Sequence, residues 1–228
     1  MREKAQIKMG ILITFEGIEG CGKTTQARMA GKDLSRKGIP HIVTEEPGAT
    51  NLGKRLRGIL LNRSAFAFSP EAELFLFLAD RAQHVKEVIT PAMQENKVVL
   101  CDRFADATIA YQGFGRSLDR EIIRKMNRFS CGGLKPELTF LFDLPVEAGL
   151  ARAMKRMSEL GQDSREDRFE KEQIEFHKRV REGYHFLARR EPGRFRIIDG
   201  TRDIVTIHRD VMDTIMDLVG RYTLSGKS

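Results

Sequence analysis

One run of residues carries types and spacing suited to a definite chemistry: Gly17-Ile18-Glu19-Gly20-Cys21-Gly22-Lys23-Thr24, with Thr25 directly behind it. It fits G-x-x-x-x-G-K-[ST]. Glycines let backbone N–H groups converge on phosphate oxygens, Lys23 has the reach for the β- and γ-phosphates, and Thr24 offers a hydroxyl to Mg²⁺. That is the equipment of a nucleoside triphosphate site. A second group, Asp102-Arg103, closes the apolar run Val98 to Cys101. The carboxylate suits Mg²⁺, directly or through its water shell, and the guanidinium suits a bidentate grip on a phosphate. Phosphoryl transfer asks mainly for such positioning and charge. An acceptor that is already a phosphate monoester presents an ionised oxygen, so no His or Asp base is required. The five histidines are scattered without metal-ligand spacing, and none is assigned a metal.

Two further groups suit an acceptor and a lid. Phe77 and Arg81 stand four residues apart in a helical pattern, where a ring beside a guanidinium can hold a planar base. Taken alone, such a pair is more often packing plus a surface charge. Arg152, Arg156, Arg165 and Arg168 flank the polar interruption Gly161-Gln162-Asp163-Ser164. A short arginine-bearing segment of this kind is what closure over transferred phosphates needs, although each arginine alone fits a solvated helix face equally well.

The elements that must hold these groups follow from periodicity. Apolar runs of strand length recur at Ile11 to Phe15, His41 to Thr44, Val98 to Cys101, Leu138 to Phe142 and Phe195 to Ile198, with helical patterns between them. This predicts a parallel sheet covered on both faces, with ligands at the carboxyl ends of its strands. The phosphate loop, Glu45-Glu46-Pro47-Gly48, Asp102-Arg103 and Asp199-Gly200-Thr201 all fall there. Ser69-Pro70-Glu71 reads as a helix start, after which Leu74, Leu78, Val85 and Ile89 form a core stripe, with Phe77, Arg81 and His84 beside it.

Composition narrows the class. At 41% hydrophobic and 31% charged residues, with no apolar run near the ~20 needed to cross a bilayer, the chain reads as a soluble cytoplasmic protein with no membrane partner. A single domain over residues 11–221 is predicted, with a disordered extension at 1–10 and a tail at 222–228. Cys21, Cys101 and Cys131 fit neither a disulfide framework nor paired zinc ligands, so they read as reduced thiols. Cys21 lies near a helix N-terminus, where thiols gain reactivity, but a small loop-filling residue is its simpler role. The net charge of +7 invites a nucleic-acid partner, yet bases alternate with acids, as in Arg165-Glu166-Asp167-Arg168. No nucleic-acid partner is predicted.

At this point the sequence resembles a known family. The run Phe15 to Thr25 is similar to the phosphate loop of thymidylate kinases, enzymes that move phosphate from ATP to dTMP. Glu46-Pro47-Gly48 with Arg57, Phe77 with Arg81, and Asp102-Arg103-Phe104 leading to Ala110-Tyr111-Gln112-Gly113 agree in order and spacing. Glu166-Asp167-Arg168-Phe169-Glu170 resembles the family's lid and the helix after it, and the similarity extends from Ile11 to about Leu218.

The resemblance implies a P-loop α/β/α fold with a five-stranded parallel sheet and a helical lid at about residues 152–168, acting with ATP and Mg²⁺ as a homodimer. Phe77 would stack on thymine, Arg81 would meet its carbonyl face, and Gln112 with Thr108 would read the remaining edge. Tyr111 would lie against the deoxyribose. Glu19 would sit near the 3′-hydroxyl or acceptor phosphate, Glu46 would line the acceptor site, and Arg57 and Arg103 would hold the phosphate. Thr24 and Asp102 would serve the metal.

Because Gly20 stands where some members carry a loop arginine, the lid would supply that charge. Arg156 is first in line, with Arg152 and Arg165 behind it. Two departures stand out: Glu45 and Ala49 occupy positions that are often arginine and glycine in similar members. The stripe on the Ser69 helix is a candidate dimer surface. Two other readings stay open. One is a thymidine kinase using Glu19 or Glu46 as base; the other is a nucleotide-dependent switch.

Overall fold

The computed structural model describes residues 10–61, 68–159, 169 and 172–224. Five strands form one parallel sheet in the order β2-β3-β1-β4-β5: β1 Ile11–Glu16, β2 His41–Glu45, β3 Val98–Asp102, β4 Leu138–Asp143 and β5 Phe195–Asp199. Each strand runs one residue past the apolar segment that announced it, and each added residue is an acid: Glu16, Glu45, Asp102, Asp143 and Asp199. Polarity kept these acids out of the apolar runs, although Glu45, Asp102 and Asp199 were already placed at the strand ends. β1 pairs with β3 from Ile11↔Val98 and with β4 from Ile13↔Leu138, so it is central and buried throughout.

Helices cover both faces, as a parallel sheet requires. On one face Ile11, Ile13 and Phe15 pack with Ala27, Ala30 and Leu34 of α1 (Lys23–Arg36) and with Val211 and Ile215 of α9 (Ile204–Leu224). On the other, Leu12, Val99 and Cys101 pack with Val85, Ile89 and Ala92. α2 covers Asn51–Leu61. α3 (Pro70–His84) starts as its sequence predicts: the Ser69 hydroxyl accepts from the Ala72 amide at 3.2 Å and Pro70 takes the first turn. It widens into a π-helical turn at Val85–Ile89 before α4 (Thr90–Gln94). Pro91 explains the widening, since it has no N–H for the carbonyl four residues back.

After β3, the short α5 (Ala105–Thr108) passes into a second π-helical segment, Ile109–Gly115, and then α6 (Arg120–Ser130). α7 (Val146–Glu159) takes in residues 152–159 of the predicted lid, α8 (Ile174–Arg190) follows it, and lid residues 160–168 lie outside those described. So do residues 1–9 of the predicted extension and 225–228 of the predicted tail; residues 222–224 belong to α9. Among the described residues, no helix is long and apolar enough to cross a membrane.

Candidate active site

β1 delivers the chain into a turn with Gly17 at φ 142°, Gly20 at 70° and Gly22 at 93°, and α1 begins at Lys23 with its N-terminal amides facing the turn. At Gly20 a Cβ would lie 2.0 Å from the Gly149 carbonyl oxygen, and a Cβ on Gly149 would lie 2.6 Å from that of Glu19. α7 therefore rests backbone to backbone on the loop, in the space a loop arginine would need. The buried Lys23 ammonium donates across the loop to the Ile18 carbonyl at 3.3 Å.

The Thr24 hydroxyl donates to Asp102 Oδ2, while Asp102 Oδ1 is buried without a hydrogen bond among the described residues. An orphaned carboxylate oxygen beside a hydroxyl fits Mg²⁺, a hard cation that takes one or two protein oxygens and completes its shell with phosphate and water. A group of three or more His, Cys, Asp or Glu able to cage a metal does not occur among the described residues.

Arg103 follows the end of β3 with φ at 67°, a left-handed conformation uncommon for a residue with a side chain. Its amide is tied to the Phe15 carbonyl at 3.0 Å. Its guanidinium donates to the Gly17 carbonyl at 3.1 Å, the Tyr184 hydroxyl at 3.2 Å and Glu19 Oε1 at 2.9 Å, and it lies 4.8 Å over the Tyr111 ring. Glu19 also accepts from the Tyr111 hydroxyl at 2.5 Å, and its other oxygen stands 3.2 Å from Nδ1 of buried His177. Burial acts to raise the Glu19 pKa, but the His177 ring and the charges of Arg103 and Lys23 outweigh it and hold the carboxyl well below its ordinary range. Glu19 is thus an anchor for a cation and a poor proton acceptor.

α3 projects Phe77 and Arg81 into the same space that Tyr111 and Gln112 enter from the π-helical segment. Arg81 is 1% exposed and strongly engaged. Its Nε donates to Glu46 at 2.8 Å, Nη1 to Thr108 at 2.8 Å and Asn127 at 2.7 Å, and Nη2 to the Phe104 carbonyl at 3.1 Å. One Nη2 hydrogen is left without a partner among the described residues. Glu46 is clamped in turn by His84 Nδ1 at 2.9 Å, and Gln112 Nε2 donates to Glu73 at 2.8 Å. Phe169 closes the slot, 6.2 Å from Phe77 and edge-on to Tyr111 at 5.4 Å between ring centroids.

A single cavity of about 520 Å³ joins Lys23, Thr24 and Thr25 at one part of its wall to Phe77, Arg81 and Gln112 at another. Glu19, Gly20, Gly22, Glu46 and Arg57 also line it, as do Asp102, Arg103, Thr108, Tyr111 and Arg156. Gly17, Ile18 and Cys21 lie outside that lining and shape the turn beneath it.

The model of the family described as "Thymidylate kinase" matches residues 15–211. The chain belongs to the thymidylate kinase family. It is 55% identical to the thymidylate kinase of Syntrophus aciditrophicus, over 89% of this chain and 93% of that protein. With that of Geobacter sulfurreducens it shares 50% identity over 93% and 100% of the two chains. A crystal structure of thymidylate kinase from Ehrlichia chaffeensis, 31% identical, superposes with a TM-score of 0.71 over 91% of this chain and 99% of that one.

Within this thymidylate kinase site, some sequence expectations gain detail and others change. Of the lid arginines, Arg156 lines the cavity, whereas Arg152 Nη1 is tied to the Gly200 carbonyl at 2.8 Å. Arg165, Arg168 and the interruption at 161–164 lie outside the described residues. The reactive reading of Cys21 is corrected, because the thiol is sealed in the loop and burial pushes its pKa up. Glu45 pairs with Arg57, whose Nη1 is 3.3 Å from its carboxylate and 2.8 Å from the Pro47 carbonyl. Ala49 has no positive φ; the turn asks for glycine at Gly48, at 126°, and there it has one.

The sequence reading gave no role to Glu73, Asn127, Arg116, His177 or Tyr184. Arg116 follows Gln112 by four residues and caps the same helical segment, which was a usable signal; His177 and Tyr184 approach from α8 and left none.

Proposed function

We propose that this chain moves the γ-phosphoryl group of ATP to the phosphate of dTMP, giving dTDP. One observation carries the reading: a single cavity joins a triphosphate loop to a ring-lined slot with base-reading donors and acceptors. ATP phosphates would lie on the loop amides and Lys23, as in other glycine-rich loops that open a helix. Thr24 and Asp102 would hold Mg²⁺, which when bound neutralises charge on the phosphate oxygens. Arg103 and Arg57 would draw the acceptor phosphate into line, and Arg156 would bring lid charge to the transferred group. Phe77 would stack on the base while Arg81 and Gln112 meet its edge.

The hydroxyl-phosphorylating alternative needs a base. Glu19 is held ionised by Arg103 and its neighbours, and Glu46 is committed to Arg81 and His84. A pure switch leaves the slot unexplained. Three free cysteines support a cytoplasmic setting. A single kinase domain over residues 11–221, with its lid near 152–168, completes the reading. So does a homodimer closed across α2, α3 and α6, away from the slot. Coupled ADP release with ATP and Mg²⁺ tests the assignment across dTMP, dUMP, dCMP, AMP and thymidine. dTMP is expected to be the best acceptor, and equal rates with AMP would overturn the reading.

A further inference from the structure

The slot contains a side chain whose chemistry is ambiguous until something fixes it. A glutamine amide offers either a carbonyl oxygen or an NH₂ in nearly the same place. Buried Gln112 sends its Nε2 to Glu73 Oε1 at 2.8 Å. Its own Oε1 has no hydrogen bond among the described residues, and Gln112 lines the cavity. Glu73, 1% exposed, is grasped at both oxygens by Arg116, Nε to Oε1 at 3.2 Å and Nη2 to Oε2 at 3.1 Å. A carboxylate paired in this way only accepts, so Gln112 can meet it only with its NH₂. The carbonyl is left for the slot. Arg116 is itself steadied by Glu172 at 2.6 Å and by the rings of Phe169 and Phe176, 5.8 and 4.6 Å from its guanidinium carbon.

We propose that Glu73 is a positioning residue that sets the donor–acceptor polarity of the slot, acting through Gln112 and held in place by Arg116. The inference rests on the dTMP kinase reading and deepens it. With Gln112 fixed, the slot shows an acceptor beside the remaining Arg81 N–H donor. Thymine and uracil answer that pair with N3–H and the C4 carbonyl. Cytosine, with a bare N3 and a C4 amino group, mismatches both. Glu73→Gln removes the compulsion, because an amide at that position can receive Gln112 either way round.

The test is kcat/KM for dTMP, dUMP and dCMP with ATP, in wild type and Glu73→Gln. The dTMP-over-dCMP ratio is expected to fall about tenfold. The dTMP-over-dUMP ratio, which reads only the 5-methyl group, and the KM for ATP stay put. General loosening of the site would move both ratios or kcat alone. A folded Glu73→Gln that keeps the wild-type dTMP-over-dCMP ratio overturns the proposal. Should that variant fail to fold by circular dichroism, Arg116→Met, which unclamps Glu73, is held to the same criterion. As a second check, Glu73→Gln added to Gln112→Leu should change the ratio no further. A wild type that does not distinguish dTMP from dCMP overturns the kinase reading beneath the proposal instead.

Discussion

Glu16 closes β1 with one oxygen accepting from the Phe104 amide at 2.7 Å and the other from the Tyr184 hydroxyl at 2.8 Å. Burial and the charge of Asp106 push its pKa from 4.5 to about 8, against the pull of Arg103, Tyr184 and Phe104. The folded chain thus holds this proton more tightly than the unfolded one. Its contribution to stability is complete below about pH 4.5 and fades as the pH rises through about 8. The slope is at most about 1.4 kcal/mol per pH unit. Glu16→Gln mimics the protonated form, so thermal unfolding from pH 5 to 9 should fall less steeply in the variant than in wild type. Parallel profiles would place the slope elsewhere. Asp80, raised to about 6 mainly by burial and the charge of Glu46, adds the same sign at lower pH in both proteins. At this scale the sequence spoke clearly for residues whose roles are local, such as Lys23 and Thr24 in one loop. It was silent for Glu16, because an acid at a strand end looks solvated until the helix carrying Tyr184 is laid over it.

Helices and strands were readable where one period ran unbroken. The five strands and the capped start of α3 needed only short apolar runs and the Ser-Pro-Glu signal. Contacts between elements were not readable. The predicted core stripe of Leu74, Leu78, Val85 and Ile89 is indeed buried, which removes it as a dimer surface. The seat of α7 on the phosphate loop depends on two glycines far apart in sequence. Gly149→Ala should press a methyl onto the Glu19 carbonyl, where backbone cannot yield as a side chain would. A loss of about 1–3 kcal/mol in unfolding free energy is expected, with a raised KM for ATP. Gly58→Ala is the control: it sits in α2 with no neighbour of its Cβ among the described residues, and it should gain about 0.5–1 kcal/mol. Equal behaviour of the two variants in urea titrations would dismiss the seating of α7.

For the whole molecule, three helices that pack in succession, α2, α3 and α6, share a face that carries five exposed large apolar residues. Leu52 and Ile59 stand on the first, Phe75 on the second, and Ile122 with Phe129 on the third, the last 89% exposed. If two copies close across this face, Phe129→Asp should shift sedimentation from dimer toward monomer, while circular dichroism stays native. An unchanged sedimentation coefficient would remove α6 from the contact. The acids that end all five strands have a different bearing. They crowd carboxyl groups along the edge of the sheet where nucleotides gather, Glu16 with its raised pKa among them, and the nearby arginines already have anionic company: Arg57 with Glu45, Arg103 with Glu19, Arg181 with Asp143. Occupation of this edge is therefore an exchange of one anion for another. It leaves the tally of positive charge a poor guide to how long a product stays.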